Sequence, residues 1–107
     1  RVYQLVEEAE EGSLVSLQQG EFLMVALPGN PTTGFQWEPR EVPEFLAVLE
    51  GVGYLAAGEP GLVGAGGTFY FRFSAEEPGE GQLSFAYRRP WEEGPAAETF
   101  TITVSVR

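Results

Sequence analysis

The sequence predicts an all-β chain, an immunoglobulin-like antiparallel β-sandwich with three binding loops at one end, formed as a single domain over residues 1–107. Three observations predict the sandwich. Apolar and polar residues alternate with period two through the second half of the chain. Clusters of glycine and proline interrupt that alternation at short intervals. The length of 107 residues suffices for one hydrophobic core and falls short of two.

In chain order, Leu14, Val15 and Leu17 form a short run closed by Gly20, and Glu21 to Leu27 is β-compatible and apolar on both faces. Phe35 and Trp37 share a face of the next run, and Trp37 is the candidate for the central core aromatic. Then Phe69, Phe71 and Phe73 alternate with Thr68, Tyr70, Arg72 and Ser74, which is the pattern of a half-buried strand. Leu83, Phe85 and Tyr87 alternate with Ser84, Ala86 and Arg88. Phe100, Ile102, Val104 and Val106 do the same against Thr99, Thr101, Thr103 and Ser105. Turn clusters at Pro28-Gly29-Asn30-Pro31, Gly58-Glu59-Pro60-Gly61, Glu77-Pro78-Gly79 and Glu93-Gly94-Pro95 leave room for six to eight strands and for no useful helix.

Composition removes most chemistry. Every acidic residue is Glu and every basic residue Arg, while Asp, Lys, His and Cys are absent. There is therefore no ordinary zinc site, no Ser-His-Asp or Cys-His pair, no Schiff-base lysine and no disulfide. No cofactor, no metal site and no catalytic residue is expected, although a hydrolase using two Glu carboxylates stays open by inventory. Glu7, Glu8, Glu10 and Glu11 crowd together, but their spacing fits no calcium loop and a solvated acidic turn is expected. The formal charge of −10 opposes contact with phosphate backbones, so neither nucleic acid nor membrane is an expected partner. No apolar run approaches the roughly 20 residues that span a bilayer. The chain starts at Arg1 without an apolar leader, so a signal peptide is expected to have been removed or never present. Abundant Glu and Arg with a single Asn also suit a heat-stable protein.

Three connections carry the functional signal. In the first, Asn30-Pro31-Thr32-Thr33-Gly34-Phe35, proline fixes its own φ and holds Asn30 extended, while Gly34 permits a positive φ, so both threonines sit on a stiffened turn. The second, Gly61-Leu62-Val63-Gly64-Ala65-Gly66-Gly67, lets a backbone approach another surface closely beside two apolar side chains, but taken alone it reads more readily as a flexible hairpin connection. In the third, Arg88-Arg89-Pro90-Trp91-Glu92, Arg and Trp are the residue types most enriched at binding hot spots. The alternative is that Trp91 folds back onto the core with Arg89 stacked on it.

Together these segments resemble the chagasin family of cysteine protease inhibitors, whose members share an NPTTG-aromatic loop, a GxGG loop and an RPW-type loop in this order. The resemblance runs from about Glu21 to Arg107. It implies a reversible, tight-binding, competitive inhibitor of papain-like (clan CA) cysteine proteases, papain and cathepsin L-like enzymes among them. It also implies that Thr32 lies closest to the protease thiolate, on a turn shaped by Asn30, Pro31, Thr33 and Gly34 and anchored by Phe35. Leu62 and Val63 would border an apolar subsite, with Gly64, Ala65, Gly66 and Gly67 extended against the enzyme; Val63 is smaller than the leucine often expected there. Trp91 would stack on the protease, with Arg89 and Pro90 orienting it. A monomer with free loops, in an extracytoplasmic compartment, is the accompanying expectation. The competing class is an immunoglobulin-like adhesion or carbohydrate-binding module, whose exposed aromatics would stack on sugars.

Overall fold

A computed structural model describes residues 2–56 and 66–107. Its strands are β1 (Tyr3–Glu7), β2 (Leu14–Leu17), β3 (Phe22–Gly29), β4 (Gln36–Glu41), β5 (Leu46–Ala56), β6 (Gly67–Ala75), β7 (Gly79–Arg88) and β8 (Glu98–Val106). They form two four-stranded sheets, ordered β1-β3-β6-β5 and β2-β8-β7-β4. The expected alternation decides which side chains meet between the sheets. Leu23, Val25 and Leu27 of β3 and Phe71 and Phe73 of β6 face Leu83 and Phe85 of β7 and Phe100, Ile102 and Val104 of β8, all of them buried.

Phe85 occupies the centre of this core, with its ring centroid 4.9 Å from Phe71, 6.1 Å from Phe73 and 6.3 Å from Phe100. Trp37 corrects an expectation: it is buried in the core, but at the loop end, where its indole N–H donates to the Pro28 carbonyl at 2.7 Å. A buried indole needs an acceptor, and the strand ends offer free carbonyls that the sheet centre does not.

The antiparallel expectation holds for β3-β6, β5-β6, β4-β7 and β7-β8, whereas β1-β3 and β2-β8 are parallel. The parallel pairs arise because consecutive strands β1 and β2 join different sheets. The path from β1 to β3 thus crosses through the opposite sheet, and parallel neighbours need such a crossover. The acidic turn makes the transfer. Glu7 and Glu10 form a reciprocal capping box around a short 3-10 turn at Glu8–Glu10, and Glu11 Oε2 accepts from the Thr101 N–H at 2.9 Å. These carboxylates serve the backbone, and among the described residues no three gather as metal ligands.

Strand direction places the loops. β3 leaves the first sheet and β4 enters the second, so the first loop straddles the seam between them. The β5-β6 hairpin in one sheet and the β7-β8 hairpin in the other turn at that same end.

Candidate functional site

Two register positions bring the loops together. Gly29 pairs with Gly67 across β3-β6, and Gln36 pairs with Arg88 across β4-β7. The start of the first loop therefore lies beside the end of the second, and its end lies beside the start of the third.

The first loop is held by its own side chains. Asn30 is extended (φ −140°, ψ 96°), as a residue before proline must be, and it caps a 3-10 turn over Pro31–Thr33. Its Oδ1 accepts from the Thr32 N–H at 3.1 Å and from the Thr32 hydroxyl at 2.6 Å. The Thr33 hydroxyl donates to the Asn30 carbonyl at 2.7 Å, and Gly34 closes the turn at φ 88° while donating to the Pro31 carbonyl at 2.9 Å. Thr32 and Thr33 are left exposed at the tip.

Beneath the turn stands an aromatic column. Tyr87 stacks against Phe35 (5.2 Å, 23°) and lies 5.0 Å from Trp37, and its hydroxyl accepts from the Asn30 N–H at 3.0 Å. Removing that acceptor leaves a part-buried N–H without it. Tyr87→Phe is therefore expected to cost about 1–2 kcal/mol of stability, read as a melting temperature lowered by several degrees.

Arg89 ties the third loop to the first. Its Nε donates to the Thr33 carbonyl at 3.0 Å, one Nη pairs with Glu92 at 3.3 Å, and the guanidinium lies 4.5 Å from the centre of the Phe35 ring. The alternative placement of Trp91 over the core is not what forms: Arg89 stacks on Phe35, and Trp91 stays 68% exposed. The edge of the indole crosses Gly34 so closely that a Cβ there would meet Cη2 at 2.5 Å. Pro90 is exposed beside it.

Of the second loop, Gly66 has φ 76° and packs against the first: a Cβ there would stand 3.2 Å from the Gly29 carbonyl. Gly67 is walled in by the Leu55 carbonyl and the Tyr54 hydroxyl. Leu62, Val63, Gly64 and Ala65 lie outside the described residues. The structure thus gathers Asn30, Pro31, Thr32, Thr33, Gly34, Phe35, Gly66, Gly67, Arg89, Pro90 and Trp91 at one end. It adds Tyr87, Trp37 and Glu92, which sequence reasoning left out of the site. Tyr87 and Trp37 carried a signal, since Tyr87 closes an alternating run just before the third loop and Trp37 opens one just after the first.

This is a loop-presenting sandwich, in which the first and third loops are braced against each other at one end. The sequence matches the family described as Chagasin family peptidase inhibitor I42 over residues 16–105, and the chain belongs to that family. It is 32% identical over 100 residues to Amoebiasin-1 of Entamoeba histolytica, covering 94% of this chain and 96% of that one. It is 32% identical over 107 residues to Chagasin of Trypanosoma cruzi, covering 95% and 94%. The crystal structure of a cysteine protease inhibitor from Entamoeba histolytica shares the fold with a TM-score of 0.86, at 21% identity over 98% of this chain and 96% of that one. The chain is a cysteine protease inhibitor and not an enzyme.

Proposed function

We propose that this chain inhibits papain-like cysteine proteases reversibly and competitively by laying its three-loop end across the active-site cleft. The observation that carries this mechanism is the cross-bracing of the first and third loops, in which Asn30, Arg89 and Tyr87 bind loop backbone and leave Thr32, Thr33, Pro90 and Trp91 outward. Association then orders little new backbone, and the entropy that would oppose binding through a flexible surface is largely avoided. Inhibition requires no chemistry from the inhibitor. A tight 3-10 turn presents no extended scissile peptide to the thiolate, so the loop blocks the cleft without being cut.

In this reading Thr32 lies over the catalytic thiolate, Trp91 stacks on one side of the cleft, and the second loop, with Leu62 and Val63, borders the apolar subsite on the other. Titration of papain and a cathepsin L-like protease, with trypsin as control, tests it. Saturable competitive inhibition of the two cysteine proteases alone is expected. No inhibition at micromolar protein would favour the adhesion or carbohydrate-binding class instead.

Thr32→Ala is expected to weaken inhibition by less than about tenfold. The Thr32 hydroxyl is already engaged by Asn30, and the Thr32 N–H keeps its bond to Asn30 Oδ1 without it, so the turn survives. Inhibition constants of wild type and variant against papain check this ranking.

A further inference from the structure

The third loop is held by polar ties rather than by packing. It leaves β7 at Arg88 and returns toward β8 at Ala97, whose N–H donates to the Tyr87 carbonyl at 2.9 Å. From Arg88 to Thr99 no residue is buried, and a cleft of about 190 Å³ is lined by Phe35 and Arg88 together with Glu93, Gly94 and Pro95 of the loop. A segment with no buried side chain shifts freely unless hydrogen bonds fix it.

Two consecutive arginines supply those bonds, and the alternation of the strand sends them to opposite sides. Arg89 turns to the first loop, where it binds the Thr33 carbonyl and stacks on Phe35. Arg88 turns to the outer face of the second sheet. There one Nη meets Glu38 Oε1 at 3.2 Å, and the other donates to the Glu92 carbonyl. Glu38 is its diagonal neighbour across the ladder, since Gln36 pairs with Arg88 and Glu38 with Ala86. Both arginines converge on Glu92. Its N–H donates to the Arg89 carbonyl at 3.0 Å, its carboxylate pairs with Arg89, and its carbonyl is held by Arg88. Trp91 immediately precedes this fastened residue.

We propose that Arg88 is a positioning residue for inhibition, which sets the orientation of Trp91 from the side away from the first loop while Glu38 holds its guanidinium in place. The inference rests on the three-loop reading, because the orientation of Trp91 matters only where that side chain meets the protease. Arg89 ties the turn to the first loop but leaves rotation about that tie, and a second tie on the other side removes it. A planar guanidinium suits this task, since its spread of donors holds a carboxylate and a carbonyl at once. Arg88 thereby raises the fraction of free protein whose third loop already has its binding geometry, and apparent affinity scales with that fraction.

Stopped-flow inhibition of papain by wild type, Arg88→Met and Glu38→Ala, each alone and combined with Trp91→Ala, tests this. Arg88→Met should weaken inhibition about tenfold through slower association, because fewer molecules are competent at encounter while the bound complex is unaltered. Glu38→Ala should weaken it only about threefold, since the Arg88 and Glu38 side chains are 30% and 41% exposed and water screens the pair. Melting temperatures should stay near that of wild type. In the Trp91→Ala background both effects should fall below about twofold, as expected of a residue that acts through Trp91. A loss in Arg88→Met that lies in the dissociation rate and persists without Trp91 overturns the proposal by making Arg88 a direct contact. A melting temperature about ten degrees lower overturns it by making Arg88 part of the fold. Wild-type inhibition by Arg88→Met, with Trp91→Ala impaired, overturns it alone and leaves the three-loop reading standing. Failure of that reading looks different: either wild type does not inhibit papain, or Trp91→Ala inhibits as well as wild type, and the proposal then falls with it.

Discussion

Trp91→Ala is expected to weaken inhibition of papain by roughly 30- to 1000-fold, or about 2–4 kcal/mol, with little change in melting temperature. The two readouts separate because of where the indole sits. At 68% exposure it contributes little to the core, and the atoms nearest Gly34 are Cη2 and Cζ2 at the far edge of the ring. Most of its apolar surface is therefore available to a partner, and burying an aromatic of this size is the kind of contact that dominates an interface. The side chain is also positioned in advance. Arg89 Nε on the Thr33 carbonyl and the Arg89-Glu92 pair fix the backbone on either side, so docking orders one side chain rather than a loop. Stopped-flow kinetics should place most of the loss in the dissociation rate, as is usual for changes within one interface. A melting temperature that fell by ten degrees or more would instead make Trp91 part of the fold.

Different physical signals made different parts of this molecule legible. The strands β6, β7 and β8 could be read directly because each buries one face and alternates strictly. The interior strand β3 could also be read, although apolar on both sides, because a run of that length bounded by Gly20 and Pro28-Gly29 fits a strand paired along both edges. The strands β1 and β5 were missed. β1 buries only Val6 deeply, and β5 at the sheet edge leaves Val48 and Leu55 more than half exposed, so neither shows a clean period of two. The polarity of β1 and β2 was illegible for another reason: pairing at a sheet edge follows from which sheet each strand joins, and that choice is made by tertiary contacts such as Thr101 with Glu11 and Gly12.

At the site, the turn residues of the first loop announced their backbone geometry through Asn30, Pro31 and Gly34, whose φ preferences are local. The bracing partners did not. Tyr87 stands 57 positions from Asn30, and Arg89 stands 56 from Thr33; only the register of β4 on β7 makes each a neighbour. Arg89 shows the difference well. Its residue type suggested a contact with a partner, whereas its bonds to Thr33 and Glu92 and its stacking on Phe35 make it the clamp between two loops.

That clamp makes Gly34 a sensitive residue, the one glycine of the first loop whose side-chain space is taken by the third. Gly34→Ala is expected to lower affinity for papain on the order of 100-fold and the melting temperature by about 5–10 °C. Two effects combine. A φ of 88° is left-handed, which costs an alanine about 1–2 kcal/mol relative to glycine. The new methyl group would also stand 2.5 Å from Cη2 of Trp91, closer than a carbon pair tolerates, and a tight 3.0 Å from Cζ2. Because those atoms are the free end of an exposed side chain, the indole can swing aside, so the core is spared and the binding surface is not. The two substitutions should therefore be strongly non-additive. In a Trp91→Ala background the clash is gone, and Gly34→Ala should then cost only its backbone term, so the cycle should show coupling of about 1 kcal/mol or more. Additive losses in inhibition would mean that the ring does not rest on Gly34 in solution, and that the first and third loops meet the protease as independent surfaces.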